Sequence, residues 1–197
     1  TWKGVGRLVV GQYSDNTKVA GPIQIGVAAY KPANSHPENE PRVFDFVGML
    51  GLPLVPCHEF PKNAPGAFFS VHALKDPHFA NKLTAFIKTG KPVLLTDGLA
   101  AKLTNQVNLR AANVQVLKVQ GSPKSLLDWP QETVDMMRGP LLRPLKTDLR
   151  APAGVALYLF RDGSWVLENF KDEALQVEFN GRQQKLPARA WLYEWKR

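Results

Sequence analysis

The sequence predicts an α/β domain, a parallel sheet covered by helices on both faces, followed by a small antiparallel β domain. Three observations predict it. Short apolar runs alternate with amphipathic stretches over residues 23–119, the order that builds a parallel sheet between helical layers. Residues 122–150 then carry Pro123, Pro130, Gly139, Pro140 and Pro144, a break in the pattern that reads as a connector. From Val155 the pattern switches to period-two alternation punctuated by Asp162-Gly163 and Asn180-Gly181, pairs that tolerate the positive φ of tight hairpin turns. The division is therefore an N-terminal strand or hairpin region at 1–22, the α/β domain at 23–121, the connector at 122–150 and the β domain at 151–197.

Taken in order, residues 7–10 are a short β-rich run ahead of the turn-like Tyr13-Ser14-Asp15-Asn16. Residues 23–30 read as a buried strand, and the Pro-rich 31–41 as a loop, with Ser35 capping the next helix and Pro37 at its first position. Val43, Phe44, Phe46, Val47 and Leu50 recur at helical spacing, with Gly51 as terminator. Short strands are expected at 52–55, 67–71, 92–95 and 114–119. A second amphipathic helix opens at Asp76-Pro77 and carries Phe79, Leu83, Phe86 and Ile87 on one face. A third covers 99–103, and the connector holds one short helix. In the β domain the runs 155–160, 164–168, 174–179 and 190–195 read as strands. This domain is too small for a robust core of its own and is expected to pack on the α/β domain or on a missing neighbour.

The 197 residues carry 25 Lys and Arg against 17 Asp and Glu, a formal charge of +8. The basic residues are scattered, usually near an acidic one. Their densest group, Arg138, Arg143, Lys146 and Arg150, forms no helical stripe, and no basic and aromatic residues interleave. The charge is read as solubility, and no nucleic-acid partner is expected. No apolar run approaches the roughly 18–20 residues of a membrane span. One cysteine, Cys57, excludes an internal disulfide and a cysteine-based metal site, and leaves the compartment, cytoplasmic or exported, open. It reads as a half-buried small hydrophobe. The chain starts at Thr1 and reads as a mature product or a piece of something longer.

Chemistry concentrates at the junction 91–100. A buried strand, a one-residue elbow and a helix form the geometry that presents a nucleophile at a strand's carboxyl end. Asp97 occupies that elbow. It reads either as a cap for the following helix or as a nucleophile, and the cap is favoured. The other strand exits place Tyr30, Lys31, Asn34 and His36, then Ser70 and His72, and His58-Glu59, on one rim, where open α/β sheets bind ligands. Asp97, His72 and His36 are the candidate catalytic residues, and Tyr30, Lys31, Ser70 and Thr96 the candidate binding residues. No metal-ligand spacing links the histidines, so neither metal nor cofactor is expected. Trp165, Phe170, Trp191, Tyr193 and Trp195 crowd the β domain. Aromatic rows can stack on sugar rings, but Trp191, Tyr193 and Trp195 alternate, and the face they share is expected to be the buried one.

Residues 23–119, with the elbow at 91–103, resemble the class I glutamine-amidotransferase-like, flavodoxin-like fold. Asp97 stands where that family has its cysteine, and no His-x-Glu follows in 107–120, which implies a degenerate, non-hydrolytic member. The segment Val166-Leu167-Glu168-Asn169-Phe170-Lys171-Asp172-Glu173 is similar to one in the C-terminal β domains of many glycoside hydrolases. The two parts together resemble the trimerisation and C-terminal domains that follow the catalytic barrel of certain β-galactosidases. The resemblance implies a non-catalytic C-terminal portion of a larger bacterial carbohydrate-active protein. An upstream catalytic domain or other subunits, and carbohydrate, would be its partners. A small hydrolase built on Asp97, His72 and His36, and a stand-alone carbohydrate-binding module, are the alternatives.

Overall fold

The computed structural model describes residues 23–196; the strand expected at 7–10 and the turn after it lie outside the described residues. Five parallel strands form the central sheet: β2 (Val27–Tyr30), β3 (Leu54–Cys57), β4 (Ala67–Phe69), β5 (Val93–Thr96) and β6 (Val114–Leu117), after a two-residue β1 (Gln24–Ile25) that belongs elsewhere. Their spatial order is β3-β2-β4-β5-β6, the second strand beside the first and the rest following, which is the flavodoxin-like order. Each strand is short and nearly wholly apolar because both faces are covered. Val27, Ala29, Phe68 and Leu94 point to one layer, where they meet Val43 and Val47 of α1 (Val43–Gly48) and Val134 and Leu141 of α4 (Gln131–Leu142). Their neighbours Ala28, Tyr30, Phe69 and Leu95 point the other way. There they pack on Phe79, Leu83 and Phe86 of α2 (Phe79–Lys88) and on Leu99 and Leu103 of α3 (Asp97–Leu103). The period-two alternation thus feeds two cores, and each fully buried Leu or Phe in them contributes about 1.5–3 kcal/mol.

Two local expectations are corrected. The first helix begins at Val43, with Arg42 in the left-handed region at φ 57° and no side-chain cap, rather than at Ser35 and Pro37. The loop runs on because Glu40, 1% exposed, is drawn into the protein to accept the Val71 N–H. The helix expected to be short within the stretch 122–150 is longer than that. The stretch contains the twelve-residue α4, which carries Pro140 inside it, and it contributes Leu126, Val134, Met137 and Leu141 to the first core.

The β domain is a two-sheet sandwich. One sheet is antiparallel β1-β8-β9-β12, with β8 (Val155–Phe160), β9 (Trp165–Asn169) and β12 (Trp191–Glu194). The other is β11-β10-β7, with β7 (Leu149–Arg150), β10 (Leu175–Phe179) and β11 (Arg182–Leu186). Leu149, Leu157, Leu167, Val177, Phe179 and Leu186 fill the space between them. The run 23–30 is split by Gly26: Gln24 and Ile25 pair with Phe160 and Leu159 of β8, while Val27 onward enters the parallel sheet. A Cβ at Gly26 would lie 1.8 Å from the Pro53 carbonyl oxygen, so only glycine permits the crossing.

The two parts are joined through Arg138, which sits in α4 and is 0% exposed. Its Nε donates to Leu149 O and its Nη1 to Leu50 O, both at 2.9 Å; its Nη2 donates to Ala151 O at 2.5 Å and pairs with Asp135. A residue of the densest basic group in the sequence is the most deeply buried cation among the described residues. Its charge is tolerated because four acceptors replace water. Gly51, at φ +78°, must be glycine for the same reason: a Cβ there would fall 2.6 Å from Arg138 Nη1.

Candidate functional site

The C-terminal ends of the five strands form the rim at which the sequence places its candidates. Thr96, the last residue of β5, is fully buried, and its Oγ1 accepts the Leu99 N–H at 3.3 Å. Thr96 is therefore the cap of α3, not Asp97. Asp97 does something else. Its Oδ1 accepts the N–H groups of Gly98 and Val119, both at 3.0 Å, and its Oδ2 accepts that of Gln120 at 3.0 Å. Two of those three donors lie in the loop after β6, 22 and 23 residues away. The carboxylate fastens that loop to the elbow, and the left-handed Gln120 (φ 51°) lets the chain present successive amides to it.

His72 lies in the 3-10 turn after β4, is 5% exposed, and shares a 2.8 Å hydrogen bond between its Nδ1 and Ser35 Oγ. Its ring packs 5.4 Å from that of Phe44. Burial, with Lys31 and His36 nearby, pushes its pKa below the usual histidine value against the Ser35 bond, so it is neutral at physiological pH. His36 is exposed and accepts the Glu38 N–H at 2.9 Å. His58, also exposed, bonds the Lys31 carbonyl at 2.9 Å. No hydrogen bond joins any of these rings to Asp97 among the described residues, and no three His, Cys, Asp or Glu side chains there could hold a metal ion.

The candidate binding residues differ in their surroundings. Tyr30 is buried and donates its hydroxyl to Asp76 Oδ2 at 3.0 Å, against rings of Phe60, Phe69 and Phe79. Lys31 is exposed. Ser70 is 0% exposed, and its hydroxyl finds no partner among the described residues. Cys57, half-buried at the end of β3, has its thiol pushed up to about 11 by burial, which keeps it protonated and unreactive.

Sequence reasoning missed Glu40. Its carboxyl is packed among the exits of β2, β4 and β5, with Oε2 accepting the Val71 N–H at 3.2 Å and Oε1 facing Gly98, where a Cβ would come within 2.4 Å. Burial raises its pKa; the Thr96 and Val71 hydrogen bonds oppose this, and the nearby Asp97 and Glu38 carboxylates add to it. A raised folded-state value favours the protonated form. This contribution is therefore fully present below the usual glutamate pKa and is lost as pH climbs towards the raised one. Glu40→Gln should be neutral near pH 4 and stabilising by roughly 1 kcal/mol at pH 7.5, read from thermal melts at both pH values. A glutamine variant no more stable than the parent at pH 7.5 contradicts this. The only sequence signal was an acidic residue just before the helix, which also fits an exposed loop.

A second concave feature lies away from the rim. The outer face of β8, β9 and β12 meets α1 and β3 across a cleft of about 470 Å³. Trp191, Tyr193 and Trp195 are 37%, 56% and 41% exposed, so the face they share is the outer one, not the buried one. Leu192, between them, is the residue packed against the sandwich core. β12 pairs only with β9 and forms the sheet's edge. Trp191 stands opposite Glu168 in the register, and Ala156 stands opposite Glu168 on the other side. Tyr158 donates its hydroxyl to Glu168 Oε2 at 3.1 Å. Burial pushes the Glu168 carboxyl up, against the bonds from Tyr158 and Trp191.

No family model, curated protein or solved structure matches this chain. No helix among the described residues is long and apolar enough to cross a membrane.

Proposed function

We propose that this chain is a non-catalytic portion of a carbohydrate-active, glycoside-hydrolase-like protein, serving assembly or flanking an active site borne elsewhere. One observation carries the reading: Asp97, the side chain at the strand-to-helix elbow, spends both carboxylate oxygens on backbone N–H groups of Gly98, Val119 and Gln120. A nucleophile must have a lone pair directed at a substrate and a base or acid within reach. His72 is turned to Ser35 instead, and His36 to its own loop. The resemblance to an amidotransferase-like domain with Asp in place of the nucleophilic Cys supports the same reading, as does the β-galactosidase-like pairing of an α/β part with a small β part. A binding role, the second reading, is favoured by the outward-facing Trp191, Tyr193 and Trp195.

The test is turnover. Incubated with nitrophenyl glycosides, esters and anilides, the chain is expected to release no more product than buffer. Release by the parent, lost in Asp97→Asn, overturns the reading in favour of a hydrolase using the rim.

A further inference from the structure

We propose that the cleft between the β8–β9–β12 face and α1–β3 is a saccharide site, in which Trp191 and Phe170 pack on the apolar face of a sugar ring while Glu168 and Tyr158 bond its hydroxyls. The inference deepens the carbohydrate-associated reading above and rests on it for the biological context; the ligand class is argued from the cleft itself.

Most of the open lining is apolar, with Phe44, Leu54 and Pro56 supplied by the α/β part and Phe170 and Trp191 by the β part, over a fully buried floor of Ala29, Leu52 and Val166. Into this surface the β sheet sets one polar group, the Glu168–Tyr158 pair at 3.1 Å. Glu168 has four lone-pair directions and receives donors from Tyr158 and Trp191, so acceptor capacity remains for ligand hydroxyls. The Tyr158 oxygen, donating to Glu168, can itself accept one. Trp191 is anchored through this carboxyl while more than a third of its surface stays open. That arrangement fixes a ring without covering it. Ala156, directly across from Glu168, keeps the floor of the row shallow. At the mouth, Arg42 and Asp45 pair at 3.0 Å and offer a donor and an acceptor of balanced charge.

A sugar answers to all of these features, because its ring has an apolar C–H face and an equatorial belt of hydroxyls. A purely apolar ligand would bury Glu168 and Tyr158 with nothing to replace water. An anion would meet Glu168 and Asp45. A quaternary ammonium ion would suit the aromatic rings, but it carries no hydroxyl to meet Glu168 and Tyr158. The volume fits a ligand of one or two sugar rings on the scale of ordinary small-molecule sites.

The experiment titrates the full chain by calorimetry with cellobiose, lactose, maltose and xylobiose, and in parallel with tetramethylammonium chloride. Saturable binding of at least one disaccharide is expected. Trp191→Ala should weaken it by roughly tenfold and Glu168→Gln by roughly fivefold. Tyr193→Ala, two residues along the same strand and outside the cleft, should change it less than about twofold. Trp191→Phe keeps a ring at the edge position and should retain binding with a smaller loss, so a misfolded alanine variant does not decide the matter. Absence of binding to all four sugars, binding that Trp191→Ala and Glu168→Gln leave intact, or tighter binding of tetramethylammonium would each overturn the site. Hydrolysis of the added disaccharide, by contrast, would sink the non-catalytic reading while leaving the location of the site standing.

Discussion

Replacing Arg138 with Met should destabilise the protein by about 3–5 kcal/mol, the largest effect expected of any single substitution here. The guanidinium donates to Leu50 O, Leu149 O and Ala151 O, three carbonyls on two segments distant in sequence, and it is fully buried. Methionine fills the volume but supplies no donor, so the three carbonyls lose the guanidinium at once, and the Asp135 carboxylate keeps only the Ala151 N–H and the Gln131 amide, both at 3.4 Å. Leu50 lies two residues past the end of the first helix and bridges to Val155 at the start of β8. Leu149 and Ala151 lead into the sandwich. The loss is therefore felt at the junction of the two parts. For a chain of this size the melting temperature should fall by about 10 °C. Arg138→Lys should recover only part of the loss, since an ammonium cannot reach three carbonyls in the fork geometry of a guanidinium. Urea unfolding that places Arg138→Met within about 1 kcal/mol of the parent would show that the junction does not depend on this residue.

Asp97→Ala is expected to cost about 2–3 kcal/mol, more than the roughly 1 kcal/mol of an ordinary helix cap. The difference comes from Val119, which is 0% exposed: its N–H would keep only the Leu117 carbonyl, at 3.1 Å two residues back, and that of Gln120 would lose a charge-assisted bond. Asp97→Asn should cost less, near 1 kcal/mol, because Oδ1 can still accept while the amide nitrogen faces the Gln120 N–H. Thermal melts of both variants check the order. An alanine variant as stable as the asparagine one would mean that the loop after β6 is held by other contacts.

The fold was legible where periodicity was strong. Phe79, Leu83 and Phe86 recur at helical spacing and do form the buried face of α2, and the runs through Phe68 and Leu94 are strands because both faces needed apolar residues. It was not legible where tertiary packing overrides local chemistry. β11 reads Arg-Gln-Gln-Lys-Leu, and only Leu186 of it is buried, so an edge strand is indistinguishable from a polar loop. Pro140 argued against a twelve-residue helix, yet α4 carries it. At the rim, the sequence located the elbow and Asp97, but not its partners, because the Val119 and Gln120 amides are distant in sequence and carry no residue-type signal. The cleft was still less visible. Glu168 and Trp191 meet only through the pairing of β9 with β12, and the other wall comes from a segment more than a hundred residues earlier in the chain.

Whether Asp97 is a clamp or a free carboxylate decides between a structural elbow and a reactive one. Amide hydrogen exchange at Val119 and Gln120 measures this directly. The account predicts that both amides are protected in the parent and exchange at least roughly tenfold faster in Asp97→Ala, with the strands β4 and β5 unchanged. If both amides exchange at the unprotected rate in the parent, the carboxylate is not holding them. Asp97 would then stand free at the end of β5, where a nucleophile belongs.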